Sequence, residues 1–177
     1  MLFTDKRQIR AVWRIGGLFI LSALFVFLTV FMAETALHMV PCELCLWERE
    51  PWRVLLGIGV LSLVLSPRYA RWAAVAGLVC LLVSVGLGVM HVGVEHGLWP
   101  SPAAECHAAP VEGHGFADWM AHLPSRPAKP CDLPDYPFGL PVSMTSLSAL
   151  YAVLVFGLAV METRRLFRFV RVNRLEA

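Results

Sequence analysis

Pro41-Cys42-Glu43-Leu44-Cys45-Leu46-Trp47-Glu48-Arg49 is a short polar interruption between two apolar runs, and its reading decides the fold. The run before it, 15–33, carries no charge and is long enough to cross a hydrocarbon core of ~30 Å at ~1.5 Å per helical residue. The run after it, 54–66, is also uncharged. The Cys-x-x-Cys pair therefore stands at a membrane surface, at the mouth of a helix bundle. Its short spacing brings two thiols together with little loop entropy, so it can close a small, reducible disulfide. Arg49 lies four residues after Cys45. On a helix these two share a face, and the guanidinium favours the thiolate. A reducible disulfide, a stabilised thiolate and an apolar slot point to redox exchange with a membrane-soluble partner.

Outward from this stretch, the charges set the topology. Lys6, Arg7, Arg10 and Arg14 precede the first run, Arg68 and Arg71 follow the second, and Arg164, Arg165, Arg168, Arg171 and Arg174 follow the last. Segments 34–53 and 91–144 hold only Arg49, Arg53, Arg126 and Lys129, yet most of the acids. The positive-inside rule then gives four spans, about 15–33, 46–66, 72–90 and 142–161, with both termini cytoplasmic. The outer loops are about 34–45 and 91–141, and 1–177 reads as a single domain. Hydrophobic residues make up 58% and charged ones 16%, against roughly 25% charged in an average soluble domain. The lipid bilayer is thus the expected surrounding. A net charge of +2 gives no reason to expect a nucleic-acid partner. The first run is longer than the apolar core of a signal peptide, and it is expected to be retained as a helix.

The expected architecture is all-α: a four-transmembrane-helix bundle with a short first outer loop and a long second one. To span the core, the second helix must recruit residues near Cys45. Glu48 and Arg49 then fall inside it, where an ion pair or an interior-facing slot must hold them, and Pro51 can kink its first turns. Gly77, Gly86 and Gly88 allow close approach of the third helix. In the long loop, Phe116, Trp119, Met120 and Leu123 follow i, i+3, i+4, i+7 spacing, which predicts a short helix on the membrane surface.

Of the five cysteines, Cys80 lies mid-span and reads as a small apolar residue. Cys42, Cys45, Cys106 and Cys131 lie on the outward side, where disulfides persist. Three chemistries compete for them: structural staples, zinc, and thiol exchange. Zinc ligation by Cys-x-x-Cys with two further donors has a precedent in pattern, but Cys106 and Cys131 are 25 residues apart. Haem attachment needs a histidine after the second cysteine, where this chain has Leu46, and no βαβ unit surrounds the motif as a thioredoxin fold requires. Exchange accounts for most of the arrangement, and no metal is expected. His91 and Glu95 read as a helix-end pair, and Trp47 and Trp52 as interfacial aromatics before slot walls.

Pro41-Cys42-x-Leu44-Cys45-x-x-Glu48-Arg49, Glu95-His96, Pro100-Ser101-Pro102-x-x-x-Cys106, and a last loop cysteine, Cys131, ahead of Phe138-Gly139-Leu140 resemble the DsbB family. These are disulfide bond formation proteins of the bacterial inner membrane, and the likeness covers all four spans and both loops. The resemblance implies that Cys106, paired with Cys131, accepts attack from a DsbA-like periplasmic thiol oxidase. It further implies that Cys131 exchanges with Cys42, and that Cys45 as thiolate meets ubiquinone, or menaquinone, drawn from the membrane quinone pool. Arg49 then lies beside the quinone, with His96 and Glu48 as further quinone-side residues. For Glu48 the competing reading is an acid facing headgroups, and for His96 a solvated anchor. Two other functions stay open: a DsbI-type paralogue with a dedicated partner, and a non-enzymatic membrane protein stapled by disulfides or zinc.

Overall fold

The computed structural model describes residues 6–103, 106 and 129–175; the side chains of 6–8, 67, 68, 138 and 169–175 are outside the description. Four helices carry the fold: α1 (Lys6–Thr35), α2 (Glu43–Val64), α3 (Pro67–Glu95) and α4 (Met144–Leu175). One 3₁₀ turn, Pro137–Gly139, precedes α4, and no strand occurs among the described residues. The surface helix expected around Phe116 to Leu123 lies outside the described residues.

Among the described residues, three helices are long and apolar enough to cross a membrane: Ile9–Thr35, Tyr69–Glu95 and Met144–Arg168. They expose large apolar side chains outward, among them Leu21, Phe25, Leu28, Val79, Leu82, Leu150 and Leu154, as lipid-facing helices do. α2 differs. Its 22 residues rise about 33 Å, but Glu43, Glu48, Arg49, Glu50 and Arg53 crowd its first half. α1 and α3 run past the expected spans at both ends, α2 only at its start and α4 only at its end, because a helix keeps winding where its residues favour it; α2 stops at Val64 and α4 starts at Met144. The basic start thus joins α1, and His91 and Glu95 join the last turns of α3. Leu65 and Ser66 suffice to turn α2 into α3, with Ser66 as N-cap and Pro67 in the first helical turn, where its missing N–H costs nothing.

Each helix packs against its sequence neighbours, and α4 returns to α1. Ile15, Phe19 and Ala23 of α1, Trp52 and Leu55 of α2, Leu81 of α3, and Ala152, Val155 and Leu166 of α4 form the common core. Small residues set the closest crossings. A Cβ on Gly59 would come within 3.1 Å of the Gly16 carbonyl, so α1 and α2 touch backbone to backbone. Of the glycines expected to serve in this way, Gly77 receives the Phe19 ring and Gly88 meets Ala149, whereas Gly86 faces open space. At the basic end Glu162 of α4 accepts from Arg14 of α1 at 3.0 Å and from Arg165 at 2.8 Å. The opposite end is where the cysteines gather.

Candidate active site

α2 begins at Glu43 because Cys42 caps it. The Cys42 backbone is extended, and its sulfur accepts the Cys45 backbone N–H at 3.2 Å, satisfying one of the free donors of the first turn. Both thiols of the Cys-x-x-Cys are open, Cys42 buried and Cys45 half-buried. They are not equivalent. The hydrogen bond from the Cys45 thiol, helped by the backbone donor, holds Cys42 below the ordinary thiol range, against burial and the charge of Glu48. Cys45 is pushed up, first by that same shared bond and then by burial. Of the two thiols Cys42 therefore ionises first, whereas the sequence expects the thiolate at Cys45 beside Arg49.

One turn further, Glu48 points inward. Its Oε1 lies 2.9 Å from His91 Nδ1, and its Oε2 accepts from Ser148 at 3.2 Å. The other ring nitrogen of His91, Nε2, lies 3.5 Å from Cys42 Sγ. A chain of contacts thus runs from α4 through α2 and α3 to the sulfur. His91 is only 2% exposed, so none of these partners is exchanged for water.

Arg49 turns the other way and pairs with Glu34, at the end of α1, at 2.6 Å. Its Nε is buried and has no hydrogen-bond partner. Cys42, Cys45, Glu48 and Arg49 border a cavity of about 110 Å³ whose apolar walls come from Val26, Val30, Trp52 and Met144. Trp52 is fixed there by Tyr151, ring centroids 5.7 Å apart. Trp47 instead lies exposed and bonds Glu43 at 2.9 Å.

The loop contributes the second pair. Cys106 and Cys131 are joined as a disulfide with Cα atoms 5.1 Å apart. Both are buried in one cluster with Cys42, Leu44, Val94 and Ala103, against which Cys45 and Met90 pack. Lys129 and Asp135, themselves ion-paired, border the cavity from the same loop segment. The Asp135 carbonyl accepts the Met144 N–H at 2.8 Å, tying the loop to the start of α4.

All four outer cysteines are thus brought together, with Glu48 and Arg49 beside them. His96 is not: it caps the end of α3, exposed and away from the cavity lining. Glu95, read as the partner of His91, bonds Ser143 at 2.7 Å. The histidine at the sulfurs is His91, which sequence reasoning set aside. The available signal was an ionisable residue in the last turns of an apolar helix, a costly place to put one without a partner. The donor types at this point, two thiols and an imidazole, suit a soft cation as well as thiol exchange.

A family model for the disulfide bond formation protein DsbB matches residues 12–161. The chain is also 29% identical over 126 residues to an uncharacterized protein, RP370, of Rickettsia prowazekii (strain Madrid E), covering 69% of this chain and 70% of that protein. No solved structure matches it. With its apolar helices and clustered cysteines, the chain belongs to the DsbB family of membrane proteins for disulfide bond formation.

Proposed function

We propose that the chain re-oxidises a DsbA-like periplasmic thiol oxidase and passes the electrons to ubiquinone, or menaquinone, through its two cysteine pairs. The observation that carries this reading is the packing of the Cys106–Cys131 disulfide directly against the Cys42–Cys45 thiols in one buried cluster. Membership of the family supports the same chemistry.

In the relay, a thiolate of the partner attacks Cys106, the Cys106–Cys131 bond breaks, and Cys131 leaves as thiolate. Cys131 attacks Cys42 of the closed inner pair, the Cys42–Cys45 bond breaks, and Cys45 leaves as thiolate with that bond's electron pair. The partner's other thiol then attacks the mixed disulfide and frees Cys106 as thiolate. Cys106 attacks Cys131, the Cys131–Cys42 bond breaks, and Cys42 leaves, so the loop pair closes again and the inner pair is left as a dithiol. Two electrons and two protons have moved inward, with no net change elsewhere. A loop pair closed beside an inner pair open is the end state of this transfer. The bound quinone supplies the two-electron acceptor that closes the inner pair again.

The cavity residues fit a quinone head. Val26, Val30, Trp52 and Met144 offer apolar surface, and the guanidinium of Arg49, bordering the same space, offers a donor for a carbonyl oxygen. Cys45 borders the same space. The proposed setting is the bacterial inner membrane with four spans: α2 completes the bundle, both termini are cytoplasmic, and both cysteine loops are periplasmic. The arginine asymmetry and the clustering of all four cysteines at the end opposite Glu162 and Arg165 support this orientation. The test is anaerobic mixing of the purified chain with a reduced DsbA-like dithiol and a quinone, following quinol. Stoichiometric quinol that depends on all four cysteines is expected; oxidised partner with no quinol would overturn the acceptor.

A further inference from the structure

His91 brings an imidazole to a dithiol, and that combination has a chemistry besides electron transfer. We propose that the reduced Cys42–Cys45 pair and His91 form a binding site for a thiophilic divalent cation of the Zn²⁺ type. The sulfur of Cys42, the sulfur of Cys45 and a ring nitrogen of His91 all lie within 4.8 Å of one another.

Geometry favours the ion. Tetrahedral zinc, with Zn–S of about 2.3 Å and Zn–N of about 2.0–2.1 Å, sets sulfur and nitrogen about 3.5 Å apart. Cys42 Sγ and His91 Nε2 stand at 3.5 Å, so that edge of the tetrahedron is already formed. Two sulfurs on one ion lie about 3.8 Å apart, so closing the set needs each remaining edge to shorten by about 1.3 Å or less. Cys-x-x-Cys on a first helical turn is itself a common zinc-ligand spacing.

The tautomer favours it too. A proton on His91 Nδ1, donated to the Glu48 carboxylate that Ser148 holds, would leave the Nε2 lone pair for an ion at the sulfurs. A histidine whose second nitrogen donates to a carboxylate is the usual arrangement of a metal-bound imidazole. Sulfur and imidazole select soft cations over Ca²⁺ or Mg²⁺. Charge is also balanced, since two thiolates neutralise a divalent ion and the buried site gains no net charge. The fourth position faces the cavity, which has room for a water ligand.

The sequence gives no third ligand to this set, because His91 is 46 residues from Cys45 and only the packing of α3 on α2 unites them. Binding displaces to solvent whatever thiol protons the reduced pair still carries and moves no electrons. Closing the Cys42–Cys45 disulfide removes both sulfur ligands, so the site exists only in the reduced state. If the chain works as the proposed relay, an ion held there stops turnover with electrons on the inner pair. Only this consequence rests on the relay; the binding does not.

The test uses the full chain in detergent, carrying Cys106→Ala and Cys131→Ala so that no loop thiol competes. Zn²⁺ is titrated against a chromophoric chelator, and Co²⁺ absorption reports the ligands. One ion per reduced chain is expected, with sulfur-to-cobalt charge transfer, and loss of binding once the inner pair is oxidised. His91→Gln should weaken binding about tenfold or more, while His91→Cys, which restores a ligand, should retain it and shift the cobalt spectrum. Glu48→Gln should weaken it by about tenfold. Equal affinity in His91→Gln and its parent, or binding indifferent to oxidation of the pair, would overturn the site. Zinc binding as described, with no quinol from the parental four-cysteine chain, would sink the relay and leave the site standing; the reverse would do the opposite.

Discussion

The two cysteine pairs share one buried cluster but are built in different ways. Cys42 and Cys45 belong to a helix: one caps α2, the other lies in its first turn, and their distance is set by helical geometry. Cys106 and Cys131 sit on loop segments 25 residues apart in sequence, and only the disulfide itself joins them in the described structure. The helical pair has charged neighbours at fixed positions, Glu48 with His91 on one side and Arg49 with Glu34 on the other. The loop pair is enclosed mainly by apolar neighbours, Leu44, Val94 and Ala103. The difference teaches a division of labour. A pair on a rigid helix end can have its charge tuned, since its neighbours cannot leave. A pair carried on loops can be opened by an incoming thiolate with little disturbance to the bundle.

The largest effects should come from breaking each pair separately. Cys45→Ala should abolish quinol formation with every donor, because the inner pair is the common exit. Cys106→Ala should abolish turnover driven by the protein partner, while a small dithiol still reduces Cys42–Cys45 directly. Assays of quinol with both donors check this; equal loss with both donors in Cys106→Ala would erase the distinction between the pairs.

Arg49 sharpens the comparison from the side of the acceptor. Its ion pair with Glu34 draws it away from the Cys45 thiol, and it borders the cavity. Losing one charge-assisted hydrogen bond, worth about 1.5 kcal/mol or more, should raise the apparent quinone requirement about tenfold in Arg49→Ala. Arg49→Lys should recover part of this, since an ammonium lacks the planar fork. Initial rates against quinone concentration decide it, and parental values in both variants would make Arg49 a helix anchor only.

A smaller effect lies within the helical pair. The Cys42 thiol is lowered and the Cys45 thiol raised, so thiolate persists at Cys42 as pH falls and appears at Cys45 only as pH rises. Under single-hit alkylation of the reduced chain, Cys42 should react first near neutral pH, with Cys45 catching up only in alkali. Peptide mapping by mass spectrometry reads this, and preferential labelling of Cys45 would reverse the assignment. Smallest of all is Cys80. Its thiol bonds the Pro51 carbonyl at 2.9 Å between α3 and α2, away from both pairs. Cys80→Ala should keep turnover and cost roughly 1 kcal/mol or less in thermal or denaturant unfolding.

Much of this was legible in the residues. The uncharged runs and the arginine bias mark apolar helices and a polar end, because bilayer transfer depends on composition and length. Cys42, Cys45, Glu48 and Arg49 are close in sequence, so a single helix start brings them together. His91 was not legible: its role depends on how α3 is rotated against α2, and a one-residue change in register would turn it outward. His96 illustrates the same limit, since five residues along α3 carry it to an exposed cap. The direction of Arg49 also escaped, because Glu34 at the end of α1 captures it. Helical spacing alone predicts a shared face with Cys45 and says nothing of a competitor on another helix.

The most direct test of the relay follows where two electrons come to rest. The quinone-free chain, with both pairs oxidised, is mixed anaerobically with one equivalent of reduced DsbA-like partner, quenched in acid and alkylated. Mapping should find oxidised partner, an intact Cys106–Cys131 disulfide, and alkylated Cys42 and Cys45. Oxidised partner accompanied by alkylated Cys106 and Cys131 and a closed Cys42–Cys45 bond would contradict the transfer from loop to helix.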